Sequence, residues 1–367
     1  MTDTPGATSI ETGNGKAVPT KTNPGRFFED FKIGETLTHA TPRTLTAGDV
    51  AVYNALYGSR FAVQSADSFA QAIGLPRSPI DDLLVFHTVF GKTVPDISLN
   101  AVANLGYAAC QFNTAVYPGD TLSASTKTIG LKENSNGKTG VVYVETTGVN
   151  QRDEVVLSFN RWVMVNKRDQ ATPTGAATVP DLPSAVAPER LGQHLRDLDI
   201  SAYDDVRAGA PHRFDAYKVS ETIAHVDGVT VEEAEHQSAT RLYQNTAKVH
   251  FDQVAANAGR HGRRLIYGGV VISLARALSF NGLANAFAVL AINGGRHVAP
   301  LFAGDTVYAF STILEKADIA APGLGGLRVR TLALKNENPD TFPMPSTDGK
   351  YHEATILDLD YWVALPK

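Results

Sequence analysis

The segment FEDFKIGETL at residues 28–37 recurs as FDAYKVSETI at residues 214–223. A second pair of segments, AVYPGDT at residues 115–121 and PLFAGDT at residues 300–306, repeats in the same order. A chain that repeats its own segments in order is built from two related units. We call these units copy one and copy two.

Two further markers extend the comparison. RWV at residues 161–163 corresponds to YWV at residues 361–363, and the stretch from Leu56 to Gln64 aligns with the stretch from Leu242 to His250. The predicted parts are a flexible N-terminal arm without an apolar core, copy one, a connector without strand-like alternation, and copy two. Their predicted boundaries are residues 1–24, 25–165, 166–211 and 212–367. We expect one short helix in the connector, near residues 191–195.

The composition is that of an ordinary globular protein. Hydrophobic residues make up 43% and charged residues 19% of 367 residues, and the formal net charge is −5. This balance gives no reason to expect nucleic-acid binding, and no apolar run is long enough to span a membrane. The single cysteine, Cys110, excludes an internal disulfide and is expected to be a small buried residue. We therefore expect a cytoplasmic protein.

Each copy shows the same order of predicted elements. A capping pattern at residues 46–49, and again at 230–233, opens a first helix, and a loop and a long apolar helix follow. The apolar positions of the long helices are Leu83, Leu84, Phe86, Val89 and Phe90 in copy one and Val270, Val271, Leu274, Ala275 and Leu278 in copy two. Alternating strands are predicted at residues 121–132, 140–150, 154–165, 306–314, 327–335 and 355–365. A long helix against an antiparallel sheet, made twice, is an α+β layout.

The copies differ most where their long helices begin. Copy one reads Ile80-Asp81-Asp82, whereas copy two reads Ile266-Tyr267-Gly268-Gly269. Aspartates cap the amides of a helix N-terminus with their own carboxylates, whereas glycines leave these amides free and allow a ligand to approach closely. Copy one is therefore predicted to be closed and copy two open, although a tight turn without a ligand would also use the glycines.

His250 occupies the position at which copy one has Gln64, so at this position only copy two carries a group that titrates near neutral pH. Asn245 precedes His250 by five residues, and Ser59 is its counterpart in copy one. A lone histidine is more often a packed structural residue than a catalytic one. The glycine pair at residues 268–269 favours the catalytic interpretation.

This layout resembles the tandem (double) hotdog fold, in which two antiparallel sheets each wrap a long central helix. The segments NTAKVH at residues 245–250 and IYGG at 266–269 resemble the motif of MaoC-like (R)-specific enoyl-CoA hydratases, except that Asn245 replaces an aspartate. Further runs resemble the branch of this family that acts on mesaconyl-CoA. They are KTNPG at 21–25, TPRT at 41–44, LYGSRF at 56–61, VFHTVFGKTVPDISLN at 85–100, RLYQNTA at 241–247 and LSFNGLANA at 278–286.

The resemblance implies a substrate and a reaction. Mesaconyl-CoA (2-methylfumaryl-CoA) and water would give (2R,3S)-β-methylmalyl-CoA, reversibly, in glyoxylate and acetyl-CoA assimilation. No cofactor is expected, because CoA is part of the acyl-CoA thioester substrate. Further association of chains is common in such folds, so a homo-oligomer fits the resemblance.

Hydration of an enoyl thioester needs donors for the carbonyl oxygen and a group that moves protons. Gly268 and Gly269 supply backbone donors, and His250 is the candidate acid and base. Asn245 can hold water but cannot accept its proton. Either His250 acts alone while Asn245 orients the water, or the substrate's own carboxylate assists, or another side chain fills in. The candidates for the last role are Asp227, Glu232, Glu233 and Asp252.

The substrate also carries charges that need cations. Arg241, Lys248 and Arg264 are candidates for its free carboxylate, and Arg276 and Arg296 compete with them. Arg241 would share a helix face with Asn245 if the helix continued that far. For the CoA phosphates we predict Arg328, Arg330 and Lys335, which lie on one alternating strand. His87 and His297 lie in family-like runs but are also consistent with packed histidines.

Two alternatives to the main hypothesis remain open at this point. One is a broader (R)-specific enoyl-CoA hydratase or an acyl-CoA thioesterase on the same fold, because Asn245 breaks the usual acid–base pair. The other is a non-catalytic protein that only binds acyl-CoA. A serine hydrolase is disfavoured because the sequence has no Gly-x-Ser-x-Gly turn.

Overall fold

The computed structural model describes residues 9–10, 18–19, 21–172, 175–338, 344–345 and 348–367. Most of the predicted arm, residues 1–24, therefore lies outside the described residues. Two short paired strands, β1 (Ser9–Ile10) and β2 (Val18–Pro19), are described within it.

The remaining described strands form one antiparallel sheet that runs through both copies. Copy one contributes β3 (Thr36–Thr44), β4 (Ala101–Phe112), β5 (Thr121–Glu133), β6 (Thr139–Val149) and β7 (Val155–Asn166). Copy two contributes β8 (Thr222–Ala224), β9 (Val229–Thr230), β10 (Ala288–His297), β11 (Thr306–Asp318), β12 (Leu324–Lys335) and β13 (Thr355–Pro366). The strand order is β3-β5-β6-β7-β4-β10-β13-β12-β11-β8, and β9 pairs with β11.

The two halves of the sheet join edge to edge through β4 and β10. Gln111 pairs with Ala291 and Cys110 with Ile292 across this seam. The side chain of Cys110 is fully buried there, which confirms the prediction of a small buried residue. The two predicted sheets are therefore the two halves of one continuous sheet, and each copy supplies one half.

The helices lie between the strands in chain order. They are α1 (Ala47–Tyr57), α2 (Ala62–Ser65), α3 (Asp67–Ala72), α4 (Asp82–Thr93), α5 (Asp205–Ala208), α6 (Glu233–Leu242), α7 (Lys248–Phe251), α8 (Gln253–Asn257), α9 (Gly268–Leu278) and α10 (Phe280–Leu283). Short turns of other helix types occupy Phe28–Asp30, Val94–Ser98, Pro188–Arg190, Gln193–Leu195, Ile200–Ala202 and Phe214–Ala216. Among the described residues, no helix is long and apolar enough to cross a membrane.

The two long apolar helices are the predicted ones. Helix α4 packs on the half-sheet of copy one and α9 on that of copy two, and their predicted apolar residues are buried in a common core. Burying such side chains is the main source of folding free energy, about 25 cal/mol for each Å² of apolar surface removed from water. The core is shared by both halves, so each half supports the other.

The capping prediction holds for one copy and is wrong for the other. Thr46 accepts a hydrogen bond from the amide of Asp49, and the Asp49 carboxylate accepts one from the amide of Thr46, as a capping box requires. In copy two, Thr230 instead belongs to β9. Helix α6 begins later, with Glu232 at its cap and Glu235 bonded back to the amide of Glu232.

The connector folds back onto the protein. Its side chains Leu191, Leu195 and Tyr203 pack into a second apolar cluster with α3 and with the first residues of β10. The short helix expected near residues 191–195 is a single 3-10 turn at Gln193–Leu195. The connector thus covers the outer side of the joint between the copies.

Candidate active site

The start of α9 is open in the way the glycine pair predicts. Tyr267 precedes the helix in an extended conformation, and no side chain caps the α9 terminus in the described part of the chain. The first amides of a helix have no partner within the helix and lie at the positive end of its dipole. The start of α9 can therefore receive a developing negative charge.

Close contacts also require the two glycines. A Cβ atom at Gly268 would lie 2.3 Å from Cε1 of His297, and one at Gly269 would lie 2.6 Å from Cε1 of His87. These distances are shorter than any tolerable carbon–carbon contact. The glycines therefore place a histidine of copy one and a histidine of copy two against the same helix terminus.

His250 lies on α7 and is held in one tautomer. Its Nδ1 atom is 2.8 Å from the carbonyl oxygen of Leu265, and because a carbonyl only accepts, Nδ1 carries the proton. Nε2 is then left with a lone pair that can accept a proton. Burial lowers the pKa of His250 to about 4, so the ring is neutral at pH 7 and able to act as a base.

Asn245 lies close to this histidine but beyond the end of α6. Its side chain is buried, its Oδ1 accepts a hydrogen bond from the amide of Ala247 at 3.2 Å, and its amide lies beside the Tyr267 hydroxyl. Helix α6 ends at Leu242, so the condition for Arg241 to share a helix face with Asn245 is not met. The Asn245 side chain is fixed by its own loop rather than by a helix.

The candidate replacement carboxylates do not join the buried group. Asp227, Glu232 and Glu233 are exposed, and Glu233 forms an ion pair with Arg264. The carboxylate of Asp252 accepts hydrogen bonds from the first amides of α8. All four side chains therefore serve other contacts or face solvent.

His236 and Tyr267 belong to the site and were not predicted. The amide of Tyr267 donates to Nε2 of His236 at 3.1 Å, and the His236 and His250 rings lie 6.3 Å apart. Burial, followed by the charges of His250 and Arg264, lowers the pKa of His236 to about 3. Val50 is the counterpart of His236 when the copies are aligned at Leu56 and Leu242, so the repeat comparison that found His250 could also have found His236.

His87 and His297 complete the cluster. His87 is fully buried, with Nε2 at 3.1 Å from the hydroxyl of Ser273, and the Tyr107 hydroxyl is 3.5 Å from Nε2 of His297. Both rings have polar neighbours and pack against the glycines, so they shape the site whether or not they meet a substrate. Burial lowers the pKa of His87 to about 3 and that of His297 to about 4.

The cations predicted for the substrate carboxylate make no hydrogen bond to this cluster among the described residues, although the charge of Arg264 contributes to the lowered pKa of His236. Arg241 and Lys248 are exposed, and Arg264 is paired with Glu233. The cations predicted for CoA are also engaged within the protein. Arg328 forms a bidentate pair with Asp360, Arg330 forms one with Asp358, and Lys335 donates to the carbonyl of Pro300. Arg328 and Arg330 alternate with buried apolar residues of β12 and therefore face away from α9.

The equivalent place in copy one is closed, as predicted. Asp81 caps α4 by accepting a hydrogen bond from the amide of Leu83 at 2.9 Å, and Asp82 accepts one from the amide of Val289 at 2.8 Å. Gln64, the counterpart of His250, donates to the carbonyl of Phe287. These contacts occupy the positions that are open around α9.

Comparison with known proteins identifies the family. A model of the mesaconyl-CoA hydratase family matches residues 15–343. The chain belongs to this family. It is 59% identical over 350 residues to a β-methylmalyl-CoA dehydratase of Chloroflexus aurantiacus, covering 95% of this chain and 99% of that protein. It is 58% identical over 347 residues to a mesaconyl-CoA hydratase of Cereibacter sphaeroides, covering 95% and 100%.

Solved structures agree with this assignment. A MaoC domain dehydratase of Chloroflexus aurantiacus superposes with a TM-score of 0.91 at 58% identity, covering 95% of this chain and 99% of that chain. A Mycobacterium tuberculosis protein with a double hotdog fold superposes with a TM-score of 0.74 at 26% identity, covering 94% and 98%. The fold is therefore the double hotdog, as the repeat predicted.

Proposed function

We propose that this protein adds water to mesaconyl-CoA reversibly and forms β-methylmalyl-CoA. The observation that carries the proposal is the start of α9, which no described side chain caps, near a neutral His250 whose Nε2 has no hydrogen-bond partner among the described residues. The two relatives named for this hydration and for the reverse dehydration support the choice of substrate.

The geometry suggests how the reaction proceeds. The thioester carbonyl is placed at the amides of Gly268 and Gly269, where the negative charge of the enolate is stabilised as it forms. Nε2 of His250 takes a proton from water while the water oxygen bonds to the β-carbon. The same nitrogen then returns a proton to the α-carbon, and the electron pair of the enolate forms the new C–H bond.

In this scheme Asn245 holds the attacking water rather than deprotonating it. His250 can serve as both base and acid because it takes one proton from water and gives one proton to the α-carbon. The ring therefore ends the reaction in its starting protonation state. Copy one provides a wall of the site through His87 and Tyr107, which contact the start of α9 and His297 respectively.

An absorbance assay tests the proposal. Purified protein is mixed with mesaconyl-CoA, and absorbance of the conjugated enoyl thioester is followed alongside release of free thiol. We expect the absorbance to fall to an equilibrium value without thiol release, and β-methylmalyl-CoA to restore it from the other direction. Thiol release would instead identify a thioesterase. Saturable binding without any absorbance change would identify a protein that only binds acyl-CoA.

A further inference from the structure

Arg161 on β7 is a buried cation to which the described residues provide no counter-charge. Its side chain is fully buried, and its guanidinium lies 4.2 Å from the centre of the Phe90 ring. Nη2 donates to the hydroxyl of Thr93 at 2.7 Å, whereas Nε and Nη1 have no hydrogen-bond partner in the described part of the chain. A guanidinium has five N–H donors, so most of its hydrogen-bonding capacity is unused.

Such an arrangement is costly, because a buried charge normally needs a partner. Two of the other three buried cations among the described residues lie near carboxylates, and the third donates to a carbonyl. Lys167 pairs with Glu133, Lys92 donates to the carbonyl of Thr41, and Arg276 lies near the carboxylates of Asp81 and Asp82. Burial lowers the pKa of Arg161 to about 10, so it stays charged at neutral pH. Arg161 therefore keeps an unpaired positive charge inside the protein.

This charge lies next to the candidate active site. The Phe90 ring beneath Arg161 has its centre 5.9 Å from that of Tyr267, and the Tyr267 ring is 5.5 Å from His250. Arg161 is also the direct cross-strand partner of Tyr107, whose hydroxyl contacts His297. One layer of aromatic rings thus separates the guanidinium from the two histidines.

Asn104 provides a second unpartnered group on the same side of the sheet. It pairs with Val163, and directly paired residues project to the same face, which here is also the face of Arg161. Both polar atoms of the Asn104 amide are buried, and neither has a hydrogen-bond partner in the described residues. An amide N–H and a guanidinium on the same face, two residues apart along β7 in register, are a suitable donor set for a carboxylate.

Comparison of the two copies shows that the surroundings of Arg276 and Arg161 differ in charge at the helix starts. In copy one, Asp81 occupies the helix-start position that Tyr267 occupies in copy two, and its carboxylate lies near Arg276. In copy two, the corresponding neighbour of Arg161 is the Tyr267 ring, which carries no charge at neutral pH. The helix start of copy one thus places a carboxylate near Arg276 of copy two, whereas the helix start of copy two places an uncharged ring near Arg161 of copy one.

We propose that Arg161, assisted by Asn104, binds the free carboxylate of the substrate's acyl group and makes the enzyme selective for dicarboxylic acyl-CoA thioesters. This inference rests on the proposed hydratase function. It assigns the carboxylate to a residue of copy one, whereas the thioester is bound by copy two.

The test compares mesaconyl-CoA with tigloyl-CoA, which has a methyl group in place of the carboxylate. For Arg161→Gln we expect kcat/KM for mesaconyl-CoA to fall at least about 100-fold, because truncating one partner of a buried charge pair costs that much or more. Hydration of tigloyl-CoA should stay the same or rise. Equal losses with both substrates would indicate a structural role, and unchanged selectivity would overturn the proposal.

Binding measurements extend the test to ligands that are not turned over. Wild-type protein should bind methylsuccinyl-CoA more tightly than 2-methylbutyryl-CoA by calorimetry, and Arg161→Gln should remove this preference. Arg276→Gln, which removes the buried cation that already has carboxylates nearby, is the matched control and should leave the preference intact. Wild-type protein that fails to hydrate mesaconyl-CoA would refute the hydratase function itself, whereas an active wild type with an equally selective Arg161→Gln variant would refute only the role of Arg161.

A folding control accompanies these assays. Arg161→Met removes an unpaired buried charge and keeps an apolar side chain of similar length, so its melting temperature should equal or exceed that of the wild type. A large fall in melting temperature would show that Arg161 stabilises the fold, and would contradict the proposal that its charge is kept for a ligand.

Discussion

Four histidine rings, those of His87, His236, His250 and His297, surround the start of α9. Burial lowers the pKa of each of them, so all four are neutral at pH 7. A neutral ring with Nδ1 bonded to a carbonyl, as in His250, presents its basic Nε2 to a ligand. The site can therefore accept a proton without first losing one.

The lowered pKa of His250 predicts an unusual pH profile. The reaction needs the neutral ring, and the neutral fraction falls only as the pH drops through a pKa of about 4 rather than through the ordinary value of 6.5. We expect kcat/KM for hydration to stay nearly constant from pH 8 to about pH 5 and to reach half of its maximum near pH 4. Samples returned to pH 7 control for unfolding. A half-maximal rate at pH 6.5 or above would contradict this assignment.

Asn245→Asp should restore a second base. The Oδ1 contact with the amide of Ala247 can be kept by a carboxylate, so the fold should tolerate the change. A base that accepts the proton of water contributes about 100-fold or more in favourable cases. We expect crotonyl-CoA hydration to rise several-fold, whereas Asn245→Ala should lower it. A decline in Asn245→Asp at an unchanged melting temperature would show that the amide itself is required.

Much of the site was predictable from differences between the copies, because a substitution in one copy is visible against the other. This comparison identified His250, Asn245 and the glycine pair. Arg161 also differs from its counterpart in copy two, Tyr361, but this difference alone does not mark it as a site residue. Whether the Arg161 guanidinium has a charged partner depends on which side chains the fold brings around it. The local sequence does not specify those neighbours.

At the scale of the elements, the two long helices, α4 and α9, begin at corresponding positions of the aligned copies. Their first backbone amides nevertheless have different neighbours. In α4, Asp81 caps the helix with its carboxylate, whereas α9 begins at Gly268 without a side-chain cap. The helix dipole is thus neutralised in one copy and available to a ligand in the other.

Gly268→Ala tests whether the start of α9 binds the thioester. The new methyl group would overlap the His297 ring, so either the ring or the helix start must move. Alanine keeps the backbone N–H, but the clash displaces it from the thioester carbonyl. Losing one oxyanion donor typically costs a factor of about 100 to 1,000 in kcat, and we expect displacement of the donor to cost up to this much. Gly48→Ala, in the first turn of α1, has room for its methyl group and is the control. Equal activities of the two variants would contradict the assignment.

The sequence predicted six long strands to within a few residues. It missed β3 at the edge of the sheet, and it missed β4 and β10, which form the seam. β4 contains Asn104 and Gly106, and β10 contains Gly294 and Gly295, so neither shows a clean alternation. Strands at the centre of a sheet gain their stability from neighbours on both sides. This stabilisation comes from tertiary structure, so the sequences of β4 and β10 need not alternate between apolar and polar residues.

At the scale of the whole molecule, the seam between β4 and β10 brings residues of both copies to the candidate site. Copy two contributes the amides of α9 and His250, and copy one contributes His87 and Tyr107 from the opposite side. The corresponding place in copy one is closed by the contacts of Asp81 and Asp82. The proposed site therefore depends on both halves of the chain, although only one of the two helix starts is open.

The central claim, that copy two alone carries the reaction, is tested most directly by substituting one position in both copies. Hydration of mesaconyl-CoA is measured for His250→Ala and for Gln64→Ala, its counterpart in copy one, with melting temperatures recorded for each. We predict that His250→Ala lowers kcat at least about 1,000-fold, within the range for a general base, and that Gln64→Ala stays within about twofold of the wild type. Near-normal turnover in His250→Ala, or an equal loss in both variants, would contradict the account.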